Sequence, residues 1–580
     1  MSAAAVSPPA PGGGSAGAGA RSLLAAYDPA FPEDWTAECH RRGFWRDEIL
    51  FDHVLAHSGR HPAKIAVVDG TGSYRYDELA SQTLALAGGL LALGVEPGDV
   101  VLVALPPIRQ FVPAILAAER IGAVAANIMP TLGSRELGRI IQLAQPRAVV
   151  TVAAFRRHRP AETIMSVLAR QRRPCTMIVA GEGGPPPAAA AGVPVTGYDA
   201  VAGTGNPAAR HLPGPPAADA VANLAFTTGS SGEPKGVLHT HNTSMLAVRS
   251  TAERQELGED DVFHAALPVG HTFGHFYGIR LGLLAGGRIV MQPGWDSGEM
   301  LRLAREHRIT HSAGTPTYLA DLMARRSGAA DSLASLRVFT CAGAKLDTAL
   351  AHQAAEQLPG RLSLAYGMSE AGHVASTGPG DDVLEAIGSC GRPQPETTVT
   401  IDPPPRSTGT SDGEVVIAGP SVTPGYLQGR EFSSSFLDGK GGYRTGDLGH
   451  FDGNGYLVLT GRIKELVIRG GEKIPVGEIE GLLRACPGVG DVVIVGVPHA
   501  RLGECCVAVV EPAAGAEVTL RGLVSFLEAR GVTKAFWPEE LLTVNRLPRN
   551  DVGKWVRAEV SQLARDRLRA PGRPEQGEGA

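Results

Sequence analysis

Several things are scarce or missing in this 580-residue sequence, and each absence removes a class of protein. Cysteine is sparse: seven residues, Cys39, Cys175, Cys341, Cys390, Cys486, Cys505 and Cys506, an odd number with no CxxC pair. Neither a disulfide framework nor a zinc site is suggested, and a reducing cytoplasm fits. An excess of positive charge is missing too. The formal net charge of -5 gives no global basic field for nucleic acid. No apolar run reaches the roughly 18 residues needed to cross a bilayer. The Ala/Gly/Pro-rich start, "MSAAAVSPPAPGGGSAGAGA", lacks a basic segment followed by an apolar core. It is expected to be a disordered leader rather than a secretory signal. No internal repeat is found.

What is present is an alternation of strand-like and helix-like segments. "KIAVVDG" and "VVLVALPP" are short β-branched runs closed by turn residues and read as buried strands. "YDELASQTLALAGGLLALG" between them has helical spacing, and "FVPAILAAERIGAVAANI" reads as a second helix-like segment. This rhythm predicts parallel α/β layers. Residues 181–220, rich in Gly, Pro and Ala, interrupt it and read mostly as a flexible surface connection. From Gly413 onward short strands and tight turns take over, and "DGNG" at 452–455 is a strong hairpin signal. A smaller α/β unit follows Arg462.

One stretch stands out: "LAFTTGSSGEPKGVLHTHNT", residues 224–243. Small hydroxyl residues beside glycines let backbone N–H groups and hydroxyls converge on phosphate oxygens, and Lys235 adds a positive charge. A Walker A loop requires Ser or Thr after its lysine, whereas Gly236 follows Lys235 here, so that class is excluded. On composition alone such a loop is equally a flexible linker.

Four further segments follow it in order: "YGMSE" (366–370), "YRTGDL" (443–448), "GRIKELVIRGGEKIPVGEIE" (461–480) and "LPRNDVGKWVR" (547–557). Together the five resemble the signatures of the adenylate-forming superfamily, which includes acyl-CoA synthetases, aryl-acid–AMP ligases and adenylation domains of peptide synthetases. The resemblance covers essentially everything between the two tails. It implies a large N-terminal domain of layered α/β sheets plus a distorted β-barrel subdomain, and a small mobile C-terminal α+β domain. The expected boundaries are a leader at 1–20, an adenylation domain at 21–462, a lid domain at 463–570 and a disordered tail at 571–580.

The resemblance also assigns work to residues. Thr227, Thr228, Gly229, Ser230, Ser231, Gly232 and Lys235 are implied to hold the β- and γ-phosphates of ATP. Glu370, with Thr227, is implied to hold Mg2+, a cation that takes hard oxygen ligands. Tyr366 is implied to stack on adenine opposite a wall containing Gly343 and Ala344. Gly367, Met368 and Ser369 complete that motif, Ser369 standing where the family usually carries threonine. Asp447 is implied to accept from the ribose hydroxyls, with Arg462 supporting ribose or phosphate. Lys554 is implied to bridge substrate carboxylate and ATP oxygens, a role that suits a compact charge on a flexible stem. Lys464 matches the hinge position, and Gly470 and Gly471 are implied to line a tunnel for a pantetheine thiol, where backbone must approach closely.

"HAALPVGHTFGH" groups His264, His271 and His275. The i, i+4 pair lacks the HExxH glutamate, so zinc is disfavoured. The segment instead resembles the family's P-x-x-H-x-x-G, which makes His271 a gate or a positioner of the carboxylate. The implied acid pocket includes Thr272, Phe273, Gly314 and Thr315. Neither Thr272 nor Phe273 offers a countercharge, so the ammonium of an amino acid would be buried unpaired at a cost of at least a few kcal/mol. A non-amino acid is expected. "GHTFGHFYGIRLGLLAGG" and "GTPTYLADLM" are similar to cyclohexanecarboxylate–CoA ligases and medium-chain acyl-CoA synthetases. The segment "RGFWRDEILFDHVLAHSGRHPAKIAVVDG" leans toward dihydroxybenzoate–AMP ligases. Both point to a small cyclic, aryl or medium-length acid.

The expected function is therefore an ATP-, Mg2+- and CoA-dependent acid–CoA ligase working through an acyl-AMP. The alternative is a stand-alone synthetase loading the phosphopantetheine of a carrier protein in trans, since no carrier motif follows Arg557. A catalytically dead scaffold is disfavoured because Lys554, Glu370 and Asp447 are all retained.

Overall fold

The computed structural model describes residues 33–181, 192–203, 212–228, 234–325, 330–402, 412–428, 431–433, 442–463, 467–469, 472–474, 476–499, 503–530, 534–550 and 553–569, with Leu24, Phe31 and Val532 besides. Two nine-stranded sheets dominate it, joined by a four-stranded and a five-stranded sheet. The strand Val100–Ala104 is buried at every position and pairs in parallel with Val124–Asn127 and Ala148–Val152. Such a continuous apolar run is what a strand covered by helices on both faces requires. Ser134–Ala144 buries Leu137, Ile140, Ile141 and Ala144, one face at helical spacing, and packs against Pro160–Gln171. Asp296 caps Ser297–His307 by accepting from the Glu299 N–H at 2.8 Å.

Three expectations are corrected locally. The segment read as one helix divides: Phe111–Arg120 is helical, and Val124–Asn127 is a buried strand. Gly122, at φ +76°, makes the turn between them, and small β-compatible residues then join the sheet. The region read as mostly surface connection contains the edge strand Val195–Gly197 and the turn of helix Tyr198–Val201, whose Tyr198 and Val201 are buried. Its flanks, 182–191 and 204–211, lie outside the described residues. The subdomain expected as a distorted barrel is an open antiparallel sheet of Thr398–Asp402, Gly413–Ala418, Tyr443–Phe451 and Leu457–Arg462; among the described residues no closed barrel forms. Its "DGNG" is the expected turn, with Asp452 Oδ1 accepting from the N–H groups of Asn454 and Tyr456.

The five-stranded sheet holds Val467–Arg469, Glu472–Ile474, Val489–His499, Gly503–Pro512 and Glu540–Thr543. It has its own core, including Ile479, Leu483, Val492, Val510, Leu523 and Leu527. None of the seven cysteines is in a disulfide. No helix among the described residues is long and apolar enough to cross a membrane.

Candidate active site

Strand Val221–Thr228 is the last parallel strand of its sheet, and Pro234–Thr240 returns beside it antiparallel. That register sets Thr227 opposite Lys235, on the two arms of one hairpin. The tip, with Gly229, Ser230, Ser231 and Gly232, lies outside the described residues, as do Lys464, Gly470 and Gly471. Helix His241–Gln255 starts immediately after the hairpin, capped by Thr240, whose hydroxyl accepts from the Thr243 N–H.

The segment Ser369–Glu370 is held from several directions. His239 Nε2 donates to the Ser369 carbonyl at 2.7 Å, and Thr243 Oγ1 lies 3.1 Å from its Nδ1. The Thr423 N–H donates to the Glu370 carbonyl at 2.7 Å. Thr272 donates its hydroxyl to Ser369 Oγ at 3.1 Å. Tyr426 donates to Glu370 Oε1 at 2.7 Å and lies 3.0 Å from the Tyr443 hydroxyl. Burial holds His239 neutral, lowering its pKa to about 4. Burial, then the Glu370 charge, pushes both tyrosine hydroxyls upward.

Asp447 and Arg462 are cross-strand partners, and their side chains pair at 2.7 Å. Asp447 is only 4% exposed. Gly446, at φ +73°, makes the bend before it, and Thr445 Oγ1 accepts from the Asp447 N–H. Tyr366 is buried and donates to Asp447 Oδ2 at 2.5 Å. Burial and then Asp447 raise the phenol pKa well above its ordinary range, so that proton stays on.

Lys554 reaches this cluster from the far end of the chain. A methyl group placed on Gly343 would lie 3.4 Å from Lys554 Cε, 3.7 Å from its Nζ and 3.7 Å from Thr315 Cγ2. Those are ordinary contact distances; it is the φ of +88° at Gly343 that favours glycine there. The loop presenting Lys554 is fixed locally: Asn550 Oδ1 accepts from the Lys554 N–H, and Asn550 N–H donates to the Lys554 carbonyl. Trp555 Nε1 donates to Asp491 at 2.9 Å, and Arg557 to the buried Glu480 at 2.7 Å. Lys554 is exposed to solvent. Partial desolvation, then Arg462, lowers the ammonium pKa, opposed by Asp447.

The sequence match decides the family. The AMP-binding enzyme family matches residues 54–427, and the AMP-binding enzyme C-terminal domain matches residues 478–554.

The chain belongs to the AMP-binding enzyme family.

It is 30% identical over 528 residues to the medium-chain fatty-acid–CoA ligase of Escherichia coli K12, covering 90% of this chain and 92% of that protein. It is 32% identical over 549 residues to a salicyl-AMP ligase/salicyl-S-ArCP synthetase of Mycobacterium tuberculosis, covering 92% and 94%. ATP-bound MatB of Rhodopseudomonas palustris superposes with a TM-score of 0.79 at 25% identity, covering 90% of this chain and all of that one. As an AMP-binding enzyme the chain is an AMP-forming acid–thiol ligase with the adenylate-forming fold.

His271 lies in a turn tightened by two glycines. A methyl on Gly270 would strike the Ile128 backbone at 2.5 Å, and one on Gly274 the Pro268 carbonyl oxygen at 2.3 Å. Its carbonyl accepts from the His275 N–H, leading into the π-helix Gly274–Arg280, a form frequent at functional sites. His264 and His275 are both buried; His264 is engaged by Ser312 and Gln292, and His275 Nδ1 by Asn127. Phe273 packs edge-on against Tyr277 at 5.0 Å. Gly314 faces Tyr318 and the Phe339 ring, which fill the space beside its Cα. Gly367 presses on the Gly372 carbonyl, where a methyl would come within 2.5 Å. Met368 packs against the cluster containing Tyr366, and Ala344 is exposed beside Gly343.

Sequence reasoning gave no role to His239, Tyr426, Tyr443 or Thr423. His239 lay inside the stretch already singled out, and Tyr443 opens "YRTGDL". Tyr426 carried no signal of its own.

Proposed function

We propose that the chain activates a small cyclic, aryl or medium-chain non-amino acid as its acyl-AMP, releasing pyrophosphate, and then transfers the acyl group to the thiol of CoA. The meeting of Lys554 with Gly343 and Thr315, next to the Asp447–Arg462 pair, carries this reading. It is the arrangement in which an ammonium can face a carboxylate and an α-phosphate together.

In this reading the acid enters past His271 and Phe273, and its oxygen attacks the α-phosphate in line. Asp447 accepts from the ribose hydroxyls, with Arg462 beside it. Thr227, Thr228 and Lys235, with the glycine-rich tip between them, receive the leaving pyrophosphate. Tyr366 and the wall of Gly343 and Ala344 flank the base. Lys554 stabilises the charge of the pentavalent state, the electrostatic positioning on which phosphoryl-type transfer depends. The carboxylate of Glu370 and the hydroxyl of Thr227 are hard oxygens and fit Mg2+, which would neutralise phosphate charge there. Residues 463–570 then turn about Lys464, bringing Gly470 and Gly471 to the thiol arm. The setting is cytoplasmic.

A second reading keeps the same chemistry and changes the acceptor to a carrier-protein phosphopantetheine in trans. The M. tuberculosis relative, named for that transfer, supports it. The test is acid-dependent pyrophosphate exchange across cyclic, aryl and C6–C12 acids, followed by mass spectrometry of the thioester with CoA or with a carrier. Exchange with no acid would overturn the proposal.

A further inference from the structure

Tyr426 touches the two charged groups of opposite sign on the phosphate side of the site. Its hydroxyl donates to Glu370 Oε1 at 2.7 Å. The Lys235 ammonium lies 5.3 Å from the centre of its ring, within cation–π range. The strand Gly425–Gln428 carries it, and Tyr426 pairs with Val237, two residues from Lys235 on the hairpin arm. Thr423, three residues earlier, ties the same segment to both motifs: its N–H donates to the Glu370 carbonyl and its hydroxyl to the Leu238 carbonyl. The Tyr443 hydroxyl lies 3.0 Å from that of Tyr426 and is itself hydrogen-bonded to Glu370.

A lysine and a glutamate facing one phosphate site would neutralise each other if they paired directly. Among the described residues no ion pair joins Lys235 to Glu370; each meets Tyr426 instead. The ring occupies the ammonium and the hydroxyl occupies one carboxylate oxygen, so each keeps its charge for an outside partner.

We propose that Tyr426 is a positioning residue that holds Glu370 toward magnesium and Lys235 toward phosphate while keeping the two apart. This rests on the adenylation reading above. The two halves of the side chain separate the two jobs. Tyr426→Phe removes only the hydroxyl, and Tyr426→Leu removes hydroxyl and ring together.

The experiment is calorimetric binding of a non-hydrolysable ATP analogue to the full chain, first without metal and then across a MgCl2 titration. For Tyr426→Phe the expected result is metal-free affinity within about twofold of wild type and a Mg2+ half-saturation raised about tenfold, the scale of one hydrogen bond to a charged group. Tyr426→Leu should weaken metal-free binding as well. Glu370→Gln should raise the Mg2+ requirement at least as much as Tyr426→Phe. An unchanged Mg2+ half-saturation in Tyr426→Phe beside a shifted Glu370→Gln overturns the role of Tyr426 alone. An unchanged Glu370→Gln overturns the metal reading of Glu370 and the proposal with it. If Tyr426→Leu does not fold, the Tyr426→Phe titration decides by itself.

Discussion

The Asp447 carboxylate and the Arg462 guanidinium meet at 2.7 Å across adjacent antiparallel strands, and the buried Tyr366 hydroxyl closes on the other oxygen of the same carboxylate at 2.5 Å. Three sequence motifs, two of them 81 residues apart at Tyr366 and Asp447, thus converge on one carboxylate. Asp447→Ala should raise the ATP KM by one to two orders of magnitude, the scale of about 1.5–3 kcal/mol for hydrogen bonds to a charged group. The protein should remain folded by circular dichroism. A normal ATP KM with normal turnover would remove Asp447 from the nucleotide site.

Acid selectivity gives a second check. Thr272 spends its hydroxyl on Ser369, and Phe273 packs on Tyr277, so neither offers an acidic partner to an α-ammonium. Free proteinogenic amino acids should support no pyrophosphate exchange above background. Robust exchange with any of them would contradict the pocket as described.

Acid pH should weaken the fold through its buried histidines. Burial lowers His239, His264 and His311 from 6.5 to about 4, and His373 to about 3. Each is neutral when folded and binds a proton more readily when unfolded, so unfolding takes up protons and stability falls as pH drops below 6.5. The loss continues to about pH 4 and amounts to on the order of 1–2 kcal/mol per histidine between pH 6.5 and 5. Urea denaturation at both values should show it, and His239→Gln should reduce the difference. Equal stability at pH 6.5 and 5 in the wild type would contradict these burials.

Much of the site was legible because its motifs are short and contiguous. "YRTGDL" keeps a hydroxyl, a turn glycine and a carboxylate within six residues, and the fold uses them together. What was not legible depends on contacts between distant segments. Tyr426 meets Glu370 across 56 residues, and His239 meets Ser369 across 130. An isolated tyrosine or a histidine on a buried strand has no local pattern that announces such a partner. The division of "FVPAILAAERIGAVAANI" was missed for a related reason. Its alanines fit a helix locally, and only the place in a parallel sheet turns Val124–Asn127 into a strand.

Lys554 is the most direct test of the account as a whole. Its amine stands over Gly343, next to Asp447 and Arg462, at the end of a loop anchored by Trp555 and Arg557. The decisive measurement is the rate of each half-reaction in Lys554→Ala, with Gly471→Leu beside it. Lys554→Ala should slow acyl-AMP formation by orders of magnitude, about 3–4 kcal/mol of transition-state stabilisation, and should still convert supplied acyl-AMP to thioester at close to the normal rate. Gly471→Leu should do the reverse, leaving pyrophosphate exchange intact and blocking thioester formation. If both variants impair both half-reactions equally, one fixed arrangement serves both steps and the proposed alternation is wrong.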